Sequence, residues 1–187
     1  MDPDQLTEQL SRCQARDPAA FSWLLSEYGP RLYRYFYRLS GNEADAEDML
    51  QDLTVKLLEK IKAYNHQGKF DHWLFRVAAN LNRDRLRQIG RTEKTVSLQM
   101  AVGDDLTIAD GLASAEPEPG EILKMGQDLD NLQAALMQLQ ETDREIIMLR
   151  HYSGLSYKEI AERLDIRLGT ALARVHRGLK KLQRIMT

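Results

Sequence analysis

Apolar residues recur along this chain with a helical period and do not alternate as strands would. Leu6, Leu10 and Cys13 share one helical face, and the following Asp17-Pro18 pair supplies a capping acid and a proline suited to a first helical position. Phe21, Leu24, Leu25 and Tyr28 then form an apolar stripe that Gly29-Pro30 is expected to break. A further helix over 31–40 carries Leu32, Tyr33, Phe36, Tyr37 and Leu39, an aromatic density that reads as core packing, and Gly41 with Asn42 ends it. Residues 45–60 form the next helix, with Ala46, Leu50, Leu53, Leu57 and Ile61 inward and Glu47, Asp48, Gln51, Asp52 and Glu59 outward. Acid in its first turns suits the helix dipole and by itself demands no partner. After the polar loop 65–69, Phe70, Trp73, Leu74, Val77, Ala78 and Leu81 mark a helix whose far side bears Arg76, Arg83, Arg85 and Arg87. Aromatic residues beside such a basic track fit either core plus solvated face or binding of unstacked single-stranded DNA.

Between 95 and 120 the periodicity fades. The segment holds Asp104, Asp105, Asp110, Glu116 and Glu118 without Lys or Arg, and closes on alternating acid and proline. It is expected to be an extended acidic linker, too long for an ordinary connection within a domain. Beyond it, Leu129, Leu132, Ala135, Leu136 and Leu139 form one helix, and Thr142 with Glu145 reads as a capping box opening the next. Ser156 with Glu159 is a second capping box. It starts a short helix in which Ala161, beside Ile160 and Leu164, permits a close crossing. After Asp165 a new period begins, placing Leu168, Leu172, Val175, Leu179 and Leu182 inside. This pair reads as a helix-turn-helix. From Arg167 onward the charged residues are Arg167, Arg174, Arg177, Lys180, Lys181 and Arg184, all of one sign, and such a face suits a polyanion. Arg174 is the expected base reader and Arg177 the expected phosphate clamp.

With 187 residues, 43% hydrophobic and 29% charged, the chain can bury one modest core or two small ones. The expected fold is all-α: two small helical domains, 1–94 and 125–187, joined by a flexible acidic linker over 95–124, the second domain containing the helix-turn-helix. A net charge of -2 would argue against nucleic acid only if charge were evenly spread, and here it is concentrated in patches. No apolar run approaches the ~20 residues of a membrane span, and no signal-peptide pattern opens the chain, so a cytoplasmic protein without membrane insertion is expected. Cys13 is the only cysteine. His66, His72, His151 and His176 are scattered without metal-ligand spacing, and no phosphate loop or nucleophile elbow is present. No cofactor, no metal and no enzymatic activity are expected.

The order of parts resembles bacterial sigma factors of the extracytoplasmic-function (group IV) type. The segments that carry the likeness are DPAAFSWLLSEYGPRLYRYFYRLSGN, DAEDMLQDLTVKLLEKI, FDHWLFRVAANLNRDRLR, LQETDREIIMLRHYSGLSYKEIAERLDI and GTALARVHRGLKKL, in the family's order and spacing. The resemblance implies core RNA polymerase and promoter DNA as partners, with an anti-sigma factor as a further one. It implies that Asp48, Gln51 and Asp52 dock on polymerase. It also implies that the loop containing Tyr64 and His72, with Trp73 and Asn80 behind it, receives a flipped base of the minus-ten element while Arg76, Arg83 and Arg87 hold the backbone. In the same way Arg167, Thr170, Arg174, Arg177 and Lys181 become the minus-35 contacts. The chain departs from the family pattern at Asp165, Arg167, Leu172 and Ala173, where the family commonly has Gly, Pro, Lys and Ser. Asp tolerates the left-handed backbone of the turn, whereas Leu172 and Ala173 remove two DNA donors. The other reading of the residues is a stand-alone dimeric helix-turn-helix transcription regulator.

Overall fold

The structure, a computed structural model, describes residues 3–66, 68–93 and 119–186, and those residues form helices with no strand among them. In chain order they are α1 (Pro3–Gln14), α2 (Pro18–Ser40), α3 (Glu43–Lys60), a 3-10 turn (Ile61–Ala63), α4 (Phe70–Glu93), α5 (Pro119–Met137), α6 (Glu141–Ser153), α7 (Tyr157–Leu164) and α8 (Leu168–Met186). The all-α expectation holds.

Local chemistry sets most boundaries. Asp17 accepts a hydrogen bond from the Ala19 N–H while Pro18 takes the first turn of α2, where its missing N–H costs nothing. Gly41 ends α2 at φ 71°, in the left-handed region, and its N–H returns to the Tyr37 carbonyl. Asn42 does not end a helix but begins one, its side chain accepting from the Asp45 N–H to cap α3.

Two expected breaks are absent. Gly29-Pro30 does not interrupt α2, which runs through it as one helix. Ala20, Phe21, Leu24 and Tyr28 before the proline and Leu32, Tyr35, Phe36 and Leu39 after it form one continuous buried face. Burying that face outweighs the ~3 kcal/mol an internal proline costs, and Pro30 itself points outward. The second break concerns the acid-proline stretch. Pro119 was expected in extended chain but is the first residue of α5, so α5 starts inside the span assigned to the linker. Residues 94–118, which carry most of that span, lie outside the described residues.

The core is continuous from the N-terminal to the C-terminal helices. Tyr35 and Phe75, both fully buried, contact Tyr152 of α6 at ring-centroid distances of 5.5 and 5.7 Å. Polar groups close the seam around them. Arg38 donates to the Leu129 carbonyl at 3.1 Å and to Gln133 Oε1 at 2.9 Å, and the Gln133 amide donates back to the Tyr37 carbonyl at 3.1 Å. Arg31 bridges Asp71 and the Tyr152 carbonyl while its guanidinium lies over the Phe75 ring. Helices α2 and α4 thereby grip α6, which places the C-terminal helix pair beside the aromatic loop ahead of α4.

Candidate nucleic-acid interface

The turn between α7 and α8 is built as the sequence indicates. Ser156 Oγ accepts from the Glu159 N–H at 3.3 Å, and Glu159 Oε2 accepts from the Ser156 N–H at 2.8 Å. The Ser156 hydroxyl, which donates to Glu159 Oε2 at 2.6 Å, and the Ser156 N–H together hold the Glu159 carboxyl below its ordinary range, so the cap stays ionised at the positive end of α7. Asp165 follows α7 in the left-handed region at φ 51°, and the Ile166 N–H returns to the carbonyl of buried Ala161 at 3.0 Å. The chain then enters α8 from Arg167, whose carbonyl accepts from the Thr170 and Ala171 N–H groups.

The rotation of α8 differs from the expected one. Its buried residues are Ala171, Val175, Gly178 and Leu182, whereas Leu168, Leu172 and Leu179 are 43%, 45% and 49% exposed. Small residues dictate this, because α8 lies so close to α6 that a Cβ on Gly178 would fall 2.6 Å from Ile147 Cδ1. No larger residue fits at Gly178, the point of closest approach. The rotation redistributes the arginines: Arg174 is half-buried and its charge acts on Glu145 of α6. Arg177 gives Nε and Nη2 to buried Asp143 at 2.7 and 2.6 Å, which raises its already high pKa. Lys181 donates to the Gln138 carbonyl, while Arg167 and Thr170 are exposed.

The capping box expected at Thr142 and Glu145 is not formed. α6 begins two residues earlier, after Gln140, without a side-chain cap. Glu145 is instead buried against α4, with Arg83 Nε at 3.3 Å from Oε1, and Arg83 also donates to the Arg163 carbonyl at 3.0 Å. Burial raises the Glu145 carboxyl above its ordinary value, against the pull of Arg83. Burial likewise lowers Arg163 to about 10, with help from Arg76 and Arg83 nearby.

Ahead of α4, Tyr64, His72, Trp73 and Arg76 line one pocket of about 340 Å³. Tyr64 and Trp73 stand 4.7 Å apart by ring centroid, Phe70 packs on both, and the Gln14 side chain donates to the Ile61 and Tyr64 carbonyls to hold the loop. Lys69 and Arg76 give this aromatic wall positive charge. Leu155, from the turn before α7, and Glu159, from its first turn, complete it. Asn80, Arg83 and Arg87 lie elsewhere, in a groove of about 280 Å³ with Lys56, Lys60 and Asp84. The expected minus-ten residues thus form two neighbouring sites. On α3, Asp48, Gln51 and Asp52 are exposed along one face. The same face carries Val55 and Leu58, 58% and 46% exposed, which the sequence reading missed. Their helical phase with Asp48 and Gln51 was the available signal.

A helical chain with an aromatic, cationic pocket in its first half and a one-signed helix-turn-helix in its second has the make-up of a DNA-reading transcription protein. The family model for Sigma-70 region 2 matches residues 24–92, and that for Sigma-70 region 4 matches residues 129–182. The RNA polymerase sigma factor CarQ of Myxococcus xanthus is 32% identical over 167 residues, covering 89% of each chain. The ECF RNA polymerase sigma factor SigE of Mycolicibacterium smegmatis is 36% identical over 170 residues, 89% of this chain and 63% of that longer one. Among solved structures, the sigma factor RpoE of Bartonella quintana, in complex with the anti-sigma factor NepR, superposes with a TM-score of 0.66 at 26% identity. That match covers 89% of this chain and 96% of that one. The chain belongs to the extracytoplasmic-function group of RNA polymerase sigma factors, which direct polymerase to promoters. These matches do not favour the stand-alone dimeric regulator.

Proposed function

We propose that this protein binds core RNA polymerase through the outer face of α3, reads a minus-ten element at the aromatic pocket and a minus-35 element with α8, and assists promoter opening without catalysing a reaction. The carrying observation is that one chain holds both matched regions, with Tyr64, Trp73, Lys69 and Arg76 converging on a pocket whose aromatic wall and cations suit an unstacked base and its phosphates. Asp48, Gln51 and Asp52, with Val55 and Leu58 on the turns beyond them, form the polymerase-facing surface. Asn80, Arg83 and Arg87 receive the adjoining DNA strand. Arg167, Thr170, Arg174, Arg177 and Lys181 contact the minus-35 duplex. The domain division at 1–94 and 125–187 belongs to this reading, as does a cytoplasmic location; among the described residues no helix is long and apolar enough to cross a membrane. An anti-sigma factor is a further proposed partner, by analogy with the NepR complex of the Bartonella protein. The test is promoter-specific run-off transcription with core polymerase plus the purified chain. Transcripts that require both components, and that are lost with Asp48→Arg, support the reading. Specific duplex binding by the chain alone as a dimer, with no effect on transcription by core enzyme, overturns it.

A further inference from the structure

The solvent face of the first half of α8 is apolar where donors would be expected. Leu168 and Leu172 are 43% and 45% exposed, and Gly169 and Ala173 lie exposed beside them. Leu168 and Leu172 stand one turn apart, about 40° from each other around the helix, so their methyl groups form one strip along its side. Leu179, farther along, instead lines a groove with Ile147, Tyr157 and Val175. Every charge on α8 is of one sign, exposed Arg177 and Lys180 among them, and exposed Arg167 precedes the strip, with Asp165 the acid in the turn before it.

A partner for this face has to be polyanionic and still present apolar groups at the level of the helix side chains. The DNA major groove meets both conditions, since phosphates rim it and the thymine C5-methyl projects into it. The small residues sharpen the fit. With Gly169 and Ala173 at the outermost positions of its first two turns, the N-terminal part of α8 can sink towards the base edges, bringing the leucine strip to one wall of the groove and Thr170 and Arg177 to the other. An acidic protein surface would satisfy the cations but gives no reason for the smallest residues to stand at the crest.

We infer that Leu172 and Leu168 are specificity-determining residues that read thymine methyl groups in the minus-35 element, so that this chain selects thymine by apolar contact at positions where a polar pair would select by hydrogen bonding. The inference rests on α8 being the minus-35 reader. Its test uses holoenzyme assembled from core polymerase and the full chain, and a promoter selected by that holoenzyme from a randomised library. Selection is expected to return thymines in the minus-35 element. Replacing each in turn by deoxyuridine, which removes only the methyl, is expected to weaken competition binding about fourfold at one or two positions, the worth of one buried methyl group. Leu172→Ala or Leu168→Ala should abolish the deoxyuridine penalty at its own position and leave the other intact. Both residues are exposed, so folding is not at issue. A minus-35 element without thymines, or deoxyuridine without penalty while scrambling the element still weakens binding, overturns the inference and spares α8 as reader. If scrambling the element has no effect, the reader assignment fails as well. Leucine variants that lose core polymerase while keeping every deoxyuridine penalty would reassign the strip to a protein partner and likewise overturn the inference.

Discussion

Arg83→Met is expected to be among the more damaging single substitutions in the seam between α4 and α6. Glu145 has 9% of its side chain exposed and Arg83 has 21%, with 3.3 Å between Arg83 Nε and Glu145 Oε1. Removing the cation leaves a buried carboxylate without its counter-charge, which costs roughly 3–5 kcal/mol for a buried pair. Since part of Arg83 reaches water, the lower end, about 3 kcal/mol, is expected. Glu145→Leu should cost less, because Arg83 keeps the Arg163 carbonyl and its solvent access. The double variant Arg83→Met with Glu145→Leu should recover most of the loss, because replacing both charges by apolar groups is often neutral. Urea unfolding of the four proteins followed by circular dichroism gives the coupling energy, expected at about 2 kcal/mol or more. Additive single effects would refute the reasoning.

The same pair sets a pH dependence of definite sign. Burial raises the folded Glu145 carboxyl above its unfolded value, so the folded state holds the proton to higher pH than the unfolded one does. Its contribution to stability is fully present below the ordinary carboxylate range and is lost as pH rises through the raised folded value. The cost of Arg83→Met is therefore expected to shrink on acidification, where the orphaned carboxyl takes up a proton. A cost independent of pH across that window would show that Glu145 is not its source.

Gly41→Ala should destabilise by about 1–2 kcal/mol, since Gly41 sits at φ 71° and an added Cβ would fall 2.6 Å from Met137 Sδ; thermal melting checks it. Asp143→Ala should change stability little, because the Arg177 guanidinium it leaves without an acceptor is exposed and is taken up by water. With Arg177 freed for phosphate, the salt slope of holoenzyme binding to promoter DNA should steepen by about 1 unit. Asp48→Arg combined with Val55→Ser should weaken core polymerase binding at least tenfold without lowering the melting temperature, because both side chains are exposed; fluorescence anisotropy with labelled protein measures it. Trp73→Ala should impair binding of promoters that are double-stranded at the minus-ten element more than of pre-melted ones, since Trp73 packs against Tyr64 and Phe70 in the wall of the pocket.

The helices were legible because their caps and apolar periods are local properties of the chain. Asp17-Pro18, Gly41, the Ser156 and Glu159 box and Asp165 all mark boundaries that the structure keeps. What was not legible depends on how closely helices approach each other. Reading large apolar residues as inward holds on α8 for Val175 and Leu182 but fails for Leu168, Leu172 and Leu179, because α6 approaches closest at Gly178 and draws Ala171 and Gly178 into the interior line. Reading Pro30 as a break fails because the buried face of α2 is set by residues on both sides of it. Glu145 had the spacing of a cap, and no local signal distinguishes a capping acid from one that meets Arg83 from a distant helix. In the pocket, Tyr64, Trp73 and Arg76 came from the resemblance, but Leu155 and Glu159 join it only through the packing of α6 against α2 and α4.

That packing bears on how the basic residues can meet DNA. Arg83 is engaged by Glu145 and the Arg163 carbonyl, Arg177 by Asp143, and Lys181 by the Gln138 carbonyl. Arg87 and Arg167 are exposed, Arg87 with only a 3.8 Å approach to Asp84. A phosphate contact made by an exposed cation adds nearly its whole counterion-release contribution, whereas one made by Arg83 or Arg177 must first break a pair that leaves a buried carboxylate behind. In this conformation the chain alone therefore presents fewer effective cations to duplex DNA than its sequence counts, and its own salt slope should reflect the exposed set. Rearrangement of α6 against α4 on polymerase would release Arg83 and remove Leu155 and Glu159 from the aromatic pocket in the same movement. The cationic groove and the base pocket would then open together, and the salt slope measured with holoenzyme should exceed that of the free chain by about 1 unit for each arginine released. Equal slopes for the two would mean that the seam stays closed on polymerase and that Arg83 takes no part in binding the backbone.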